Sequence, residues 1–117
     1  MKKKYFAGYT VMFALIAAAV FSPFWMEKIT LIHTDDGWTQ HYRALVYYAQ
    51  WLRSIVRTLF LEHRLIIPQW SHSIGYGADV ITTLSYYVMG DPLNLLSVAV
   101  PTRYMAYFYS FLVVLRL

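Results

Sequence analysis

The chain has 117 residues, of which 59% are hydrophobic, 19% aromatic and only 14% charged. A soluble domain carries about 45–50% apolar and about 25% charged residues, so the composition points to a chain lying partly in lipid. The net charge of +4 comes from the N-terminal Lys2–Lys4 triplet and scattered single residues. That pattern leaves no nucleic-acid footprint, and the lack of cysteine excludes disulfides, thiolate nucleophiles, lipoprotein anchors and cysteine–zinc sites.

Tyr5–Met26 is 22 residues without a formal charge. As a helix rising about 1.5 Å per residue it reaches about 33 Å, enough to cross a hydrocarbon core of about 30 Å. A backbone in hydrocarbon must satisfy its own hydrogen bonds, which a helix does. A transmembrane helix is therefore expected over residues 5–27. The lysines before it put residues 1–4 in the cytoplasm and residues 28–101 outside. Ala17–Ala19 would suit a signal peptidase, but the apolar run continues to Met26. That exceeds the usual hydrophobic region of about 7–15 residues, so a retained anchor is the preferred reading.

"HTDDGWTQHY", His33–Tyr42, then packs two aspartates, two histidines and a glutamine into ten residues. From about 42 to 63, Leu45, Tyr48, Ala49, Leu52, Ile55, Val56, Leu59 and Phe60 recur at intervals of three and four, one stripe of an α-helix. Arg43, Gln50, Arg53 and Arg57 lie on the other side. A spanning helix would bury arginines at about 2.5–3.5 kcal/mol each near the bilayer centre. An amphipathic helix in the interface avoids that, with arginines toward water and phosphates. A core helix of a soluble lobe is the competing reading.

Pro68, Gly75 and Gly77 in "RLIIPQWSHSIGYGAD" break the helical period and supply turns. A short helix follows over about 79–89, capped by Asp79 and closed by Gly90. Another follows over about 92–100, with Asp91 as N-cap and Pro92 at its first position, stopped before Pro101. Residues 102–117 start a second apolar run, which reaches only 14 residues from Tyr104 to Leu117, where a span needs about 20. The expectation is an all-α membrane protein: one N-terminal transmembrane helix, an extracytoplasmic lobe of amphipathic and short helices, and the start of a second transmembrane helix. On that reading the chain is the N-terminal part of a longer multi-pass protein, and Arg116 faces protein or a polar cavity.

The order of these features resembles the N-terminus of the YfhO-type bacterial membrane proteins. The resemblance is carried by Asp36, Gly37 and Gln40; by Trp70, Ser71, Gly75 and Gly77; and by Tyr86, Tyr87 and Asp91–Leu96. That family is similar to the GT-C class of polytopic glycosyltransferases. These move a sugar from a polyprenyl-phosphate carrier to an acceptor on the outer face of the plasma membrane, and members are linked to glycosylation of teichoic acids in the cell envelope. The resemblance implies an essential carboxylate just past the first span, where Asp35 and Asp36 stand. It also implies membrane lipid, a lipid-linked sugar and the remaining helices of the chain as partners, with the isolated chain inactive.

Glycosyl transfer to a hydroxyl needs a base near the acceptor and positive charge near the departing phosphate. Asp36 is the candidate base and Asp35 its alternate; capping a helix that starts near Gly37 is the equal structural reading of Asp36. Gln40, His41, Arg43 and Asp91 are candidate substrate-binding residues, although Asp91 is most simply a helix cap. Arg43, Arg53, Arg57, Arg64 and His72 are candidate receivers of a lipid phosphate, ordinary headgroup contact being the plainer role. No cofactor is expected. His33, Asp35, Asp36 and His41 lack any established zinc spacing, which leaves a divalent cation as the lesser option. Trp25, Trp38, Trp51 and Trp70 fit an interfacial aromatic belt. The alternative function is a non-catalytic membrane transporter or envelope-assembly component.

Overall fold

A computed structural model describes residues 2–117, with side chains from Lys3 onward. Helix of one kind or another covers 71% of the chain, against about 30–35% α-helix in an ordinary soluble domain, so the fold is built by helices and the sheet is incidental.

Helix α1 spans Lys2–Met26. It is apolar on every side, long and apolar enough to cross a membrane by length and composition, and contributes nothing to the core. Pro23 lies inside it. Its missing N–H would orphan the carbonyl one turn back, at Ala19; the Ser22 hydroxyl donates to that oxygen at 2.9 Å. The helix ends with Lys28 in the left-handed region, at φ 55°. Ile29 N–H reaches Phe24 O at 2.9 Å and Lys28 N–H reaches Trp25 O at 3.3 Å, the paired bonds of a Schellman stop, here made with lysine where glycine is usual.

The rest of the chain forms a small helical lobe. A π-helical turn, Gly37–Tyr42, leads directly into α2, Arg43–Glu62. A hairpin follows, with β1 (Trp70–Ser71) antiparallel to β2 (Ala78–Asp79), pairing Trp70 with Asp79 and Ser71 with Ala78. The glycine-rich turn was legible in the sequence; the ladder closing it was not. Helix α3, Val80–Leu84, continues as a π turn through Met89. A 3-10 helix, Pro92–Ala99, and a short 3-10 turn, Thr102–Tyr104, precede α4, Met105–Leu115. Asp79 and Asp91 cap as their positions suggest: Asp79 Oδ1 accepts from Thr82 N–H at 2.6 Å and Asp91 Oδ1 from Leu93 N–H at 2.8 Å. Gly90 closes its helix in a right-handed conformation, so glycine's freedom is not used there.

The core is one cluster. Leu45, Tyr48 and Ala49 of α2 meet Val80 and Leu84 of α3, Val88 of the π turn, and Met105 and Leu112 of α4. Only the first half of the α2 stripe is buried, and Val56, Leu59 and Phe60 are exposed. The loop after α1 is tied to the lobe by Leu31 N–H, which donates to Ser110 Oγ at 2.8 Å. Between α1 and α4 runs an apolar groove of about 440 Å³ with Phe24, Trp25, Ile29, Tyr107 and Phe111 on its walls.

Candidate functional site

The site begins at the π turn. Gly37 is buried, and a Cβ there would lie 2.9 Å from the Cβ of His33. Glycine at this position lets the chain fold back so that Trp38 N–H donates to His33 O at 2.8 Å. Thr39 donates to Asp35 O with both its N–H, at 2.9 Å, and its hydroxyl, at 2.8 Å. The helix therefore starts earlier than the sequence suggests. Asp36 has helical dihedrals, φ −60° and ψ −31°, and its side chain makes no capping bond. The cap reading of Asp36 is thereby corrected: backbone acceptors at 33 and 35 already take the N–H groups of Trp38 and Thr39, and the carboxylate caps none.

That carboxylate turns along the helix. Gln40 Nε2 donates to Asp36 Oδ1 at 2.9 Å, one helical turn away. Tyr87 donates its hydroxyl to Gln40 Oε1 at 3.0 Å from across the lobe. The amide is held at both ends, so its orientation and that of Asp36 Oδ1 are set together. Oδ2 of Asp36 receives no hydrogen bond among the described residues, and the residue is exposed.

Two cavities flank Tyr87. The first, about 200 Å³, is lined by His41, Tyr87, Asp91, Asn94, Tyr109 and Arg116 above a floor that includes Leu45 and Leu112. The His41 ring stands edge-on to Tyr87 with centroids 5.5 Å apart. Arg116 donates through Nε to Asp91 Oδ2 at 2.7 Å, and through an Nη2 2.6 Å from the same oxygen completes an ion pair. That Nη2 also donates to Asn94 Oδ1 at 3.0 Å, and Asn94 Nδ2 donates to Val88 O at 2.8 Å. The Leu93 N–H and, second to it, the Arg116 guanidinium hold the Asp91 carboxyl below the usual carboxylate range, with partial burial opposing them. The second cavity, about 370 Å³, lies between α2, the hairpin and α3 and takes in Gln40, Arg43 and Tyr87.

Gln40, His41 and Asp91 are thus brought together around Tyr87. Arg43 joins only the second cavity. Asp36 reaches the group through Gln40 and lines neither cavity, and Asp35 serves through its backbone. Arg53 has a different job from the phosphate contact suggested for it. Its Nε donates to Val98 O at 3.1 Å, and its Nη atoms meet Ser97 O, Val100 O and Thr102 Oγ1. It therefore closes the C-terminal end of the 3-10 helix, where orphan carbonyls favour a cation. Arg57, Arg64 and His72 line neither cavity. Trp51 packs against the core, its Nε1 donating to Pro68 O at 2.8 Å. Among the described residues no three histidines, aspartates or glutamates converge as metal ligands would. Tyr87, Asn94 and Tyr109 carry no signal of their own in the sequence beyond the first two lying in the Tyr-Tyr and Asp-Pro-Leu-Asn motif. No known family, curated protein or solved structure matches the chain.

Proposed function

We propose that this chain is the N-terminal part of a YfhO-like, GT-C-type membrane glycosyltransferase. It is anchored through α1 with its N-terminus in the cytoplasm and its lobe on the outer face. One observation carries the reading: Asp36 and Gln40, the two residues that the family motif pairs, share a hydrogen bond and are braced by Tyr87. A carboxylate oriented through one oxygen with the other open is the arrangement a general base needs.

In the proposed reaction an acceptor hydroxyl approaches Asp36 Oδ2. Its oxygen forms a bond to the anomeric carbon of the donor sugar as the bond from that carbon to the phosphate oxygen breaks. The phosphate leaves with the bonding electron pair, and the hydroxyl proton passes to Asp36. Arg116 presents a guanidinium beside Tyr87 and His41, where the developing phosphate charge is stabilised. Asp91 holds Arg116 in place.

The test is sugar transfer by the full-length protein in membranes. Asp36→Asn should lower transfer about 10²–10⁴-fold, the usual worth of a positioned base, and Asp35→Asn should leave it nearly intact. Full activity with both aspartates replaced would sink the enzymatic reading and favour a transporter or assembly component.

A further inference from the structure

The second cavity has no task in the chemistry above, and its polar side chains are mostly neutral. The start of α2 and the turn before it contribute Thr39, Gln40, Arg43 and Tyr47; the hairpin contributes Ser73 and α3 contributes Thr83. Thr39 and Gln40 are already engaged, whereas the hydroxyls of Tyr47, Ser73 and Thr83 and the Arg43 guanidinium make no hydrogen bond or ion pair among the described residues. Four residues whose polar groups have no protein partner among the described residues thus line one space of about 370 Å³, together with Tyr87. The hairpin is preset over that space. Gly75 is left-handed at φ 58° with nothing within 4 Å of its Cβ position, and Gly77 at φ 118° would bring a Cβ to 3.2 Å from the Trp70 ring.

Hydroxyls both donate and accept, the guanidinium only donates, and tyrosine faces pack on C–H surface. A ligand that uses all of these carries several neutral hydroxyls on a compact carbon frame. A multiply charged anion would meet one cation only, and an apolar ligand would leave the hydroxyls unpaired at a cost. We propose that this cavity binds a neutral polyol or sugar, its hydroxyls shared among Ser73, Thr83, Tyr47 and Arg43. The assignment of that ligand as the acceptor rests on the proposed function, because Gln40 is both a wall of this cavity and the partner of Asp36; the binding itself does not.

The experiment is saturation-transfer NMR on the full chain in neutral-lipid nanodiscs, with methyl β-glucopyranoside as probe and glycerol and inorganic phosphate as competitors. Wild type should show transfer to the glucoside and displacement by glycerol. Ser73→Ala combined with Thr83→Val, which removes two hydroxyls at nearly constant volume, should bind about fivefold more weakly, as the loss of one or two hydrogen bonds implies. Far-UV circular dichroism should show unchanged helix in that variant. No transfer to wild type, equal transfer to the double variant, or displacement by phosphate but not by glycerol overturns the polyol site. Loss of sugar transfer in Asp36→Asn without glucoside binding in wild type removes this site alone. Glucoside binding with undiminished transfer in Asp36→Asn removes the proposed base and leaves this site standing.

Discussion

Arg53 shows how one side chain changes meaning between sequence and structure. By helical spacing it belongs to the polar face of α2, where water or lipid phosphate is the natural partner. In the folded lobe that part of the face is covered by the 92–102 segment, and the guanidinium is half-buried against the carbonyls of Ser97, Val98 and Val100. A planar fork of donors matches several acceptors at once; an ammonium does not. Arg53→Lys should therefore destabilise the lobe by about 1–2 kcal/mol. Lys would keep the charge but lose the fork, so a thermal midpoint equal to wild type would show that charge alone matters. Arg57, one turn on and exposed, is the control whose replacement by Lys should be neutral.

At the scale of elements, α2 is the part most legible beforehand. Its predicted bounds of about 42–63 compare with Arg43–Glu62, because a stripe of three- and four-residue intervals is a local signal. The signal did not tell how much of the stripe would be covered: Leu45, Tyr48 and Ala49 are core, while Phe60 is 72% exposed. Nor did it show that the helix begins as a π turn around Gly37. That beginning depends on a close approach of backbone to the His33 side chain, which only glycine allows. Gly37→Ala should cost about 1–3 kcal/mol, the usual penalty of overpacking. His33→Gly in the same chain should return part of that loss, since it removes the atom 2.9 Å away. A double-mutant cycle measured by chemical denaturation reads the coupling, and strict additivity would exclude the clash as the cause.

At the scale of the whole lobe, the Asp91–Arg116 pair fastens the end of α4 to the start of the 3-10 helix, and Asn94 locks both to the π turn. Asp91 has a depressed carboxyl in the folded state. Its contribution is therefore complete above the unfolded carboxylate value, near pH 4, and fades as pH falls through the lower folded value. Asp79, depressed chiefly by the backbone N–H of Thr82, acts with the same sign. The thermal midpoint should fall between pH 5 and pH 3. The gap between wild type and Asp91→Asn should narrow over that interval as the wild-type carboxyl protonates. A gap independent of pH would mean that Asp91 acts through packing rather than charge.

The sequence by itself determined what rests on neighbours a few residues apart. These are the charge-free length of α1, the period of α2, and the caps at Asp79 and Asp91. The tertiary structure decided everything that joins distant positions. Leu31 meets Ser110, Tyr87 meets Gln40, and Arg116 meets Asp91 across separations of 79, 47 and 25 residues. No periodicity encodes such pairs, because they depend on how buried faces pack against one another. For the same reason the cavities on either side of Tyr87, and the passage of Arg53 from surface to strut, emerge only once α2, α3, the 3-10 helix and α4 share a core.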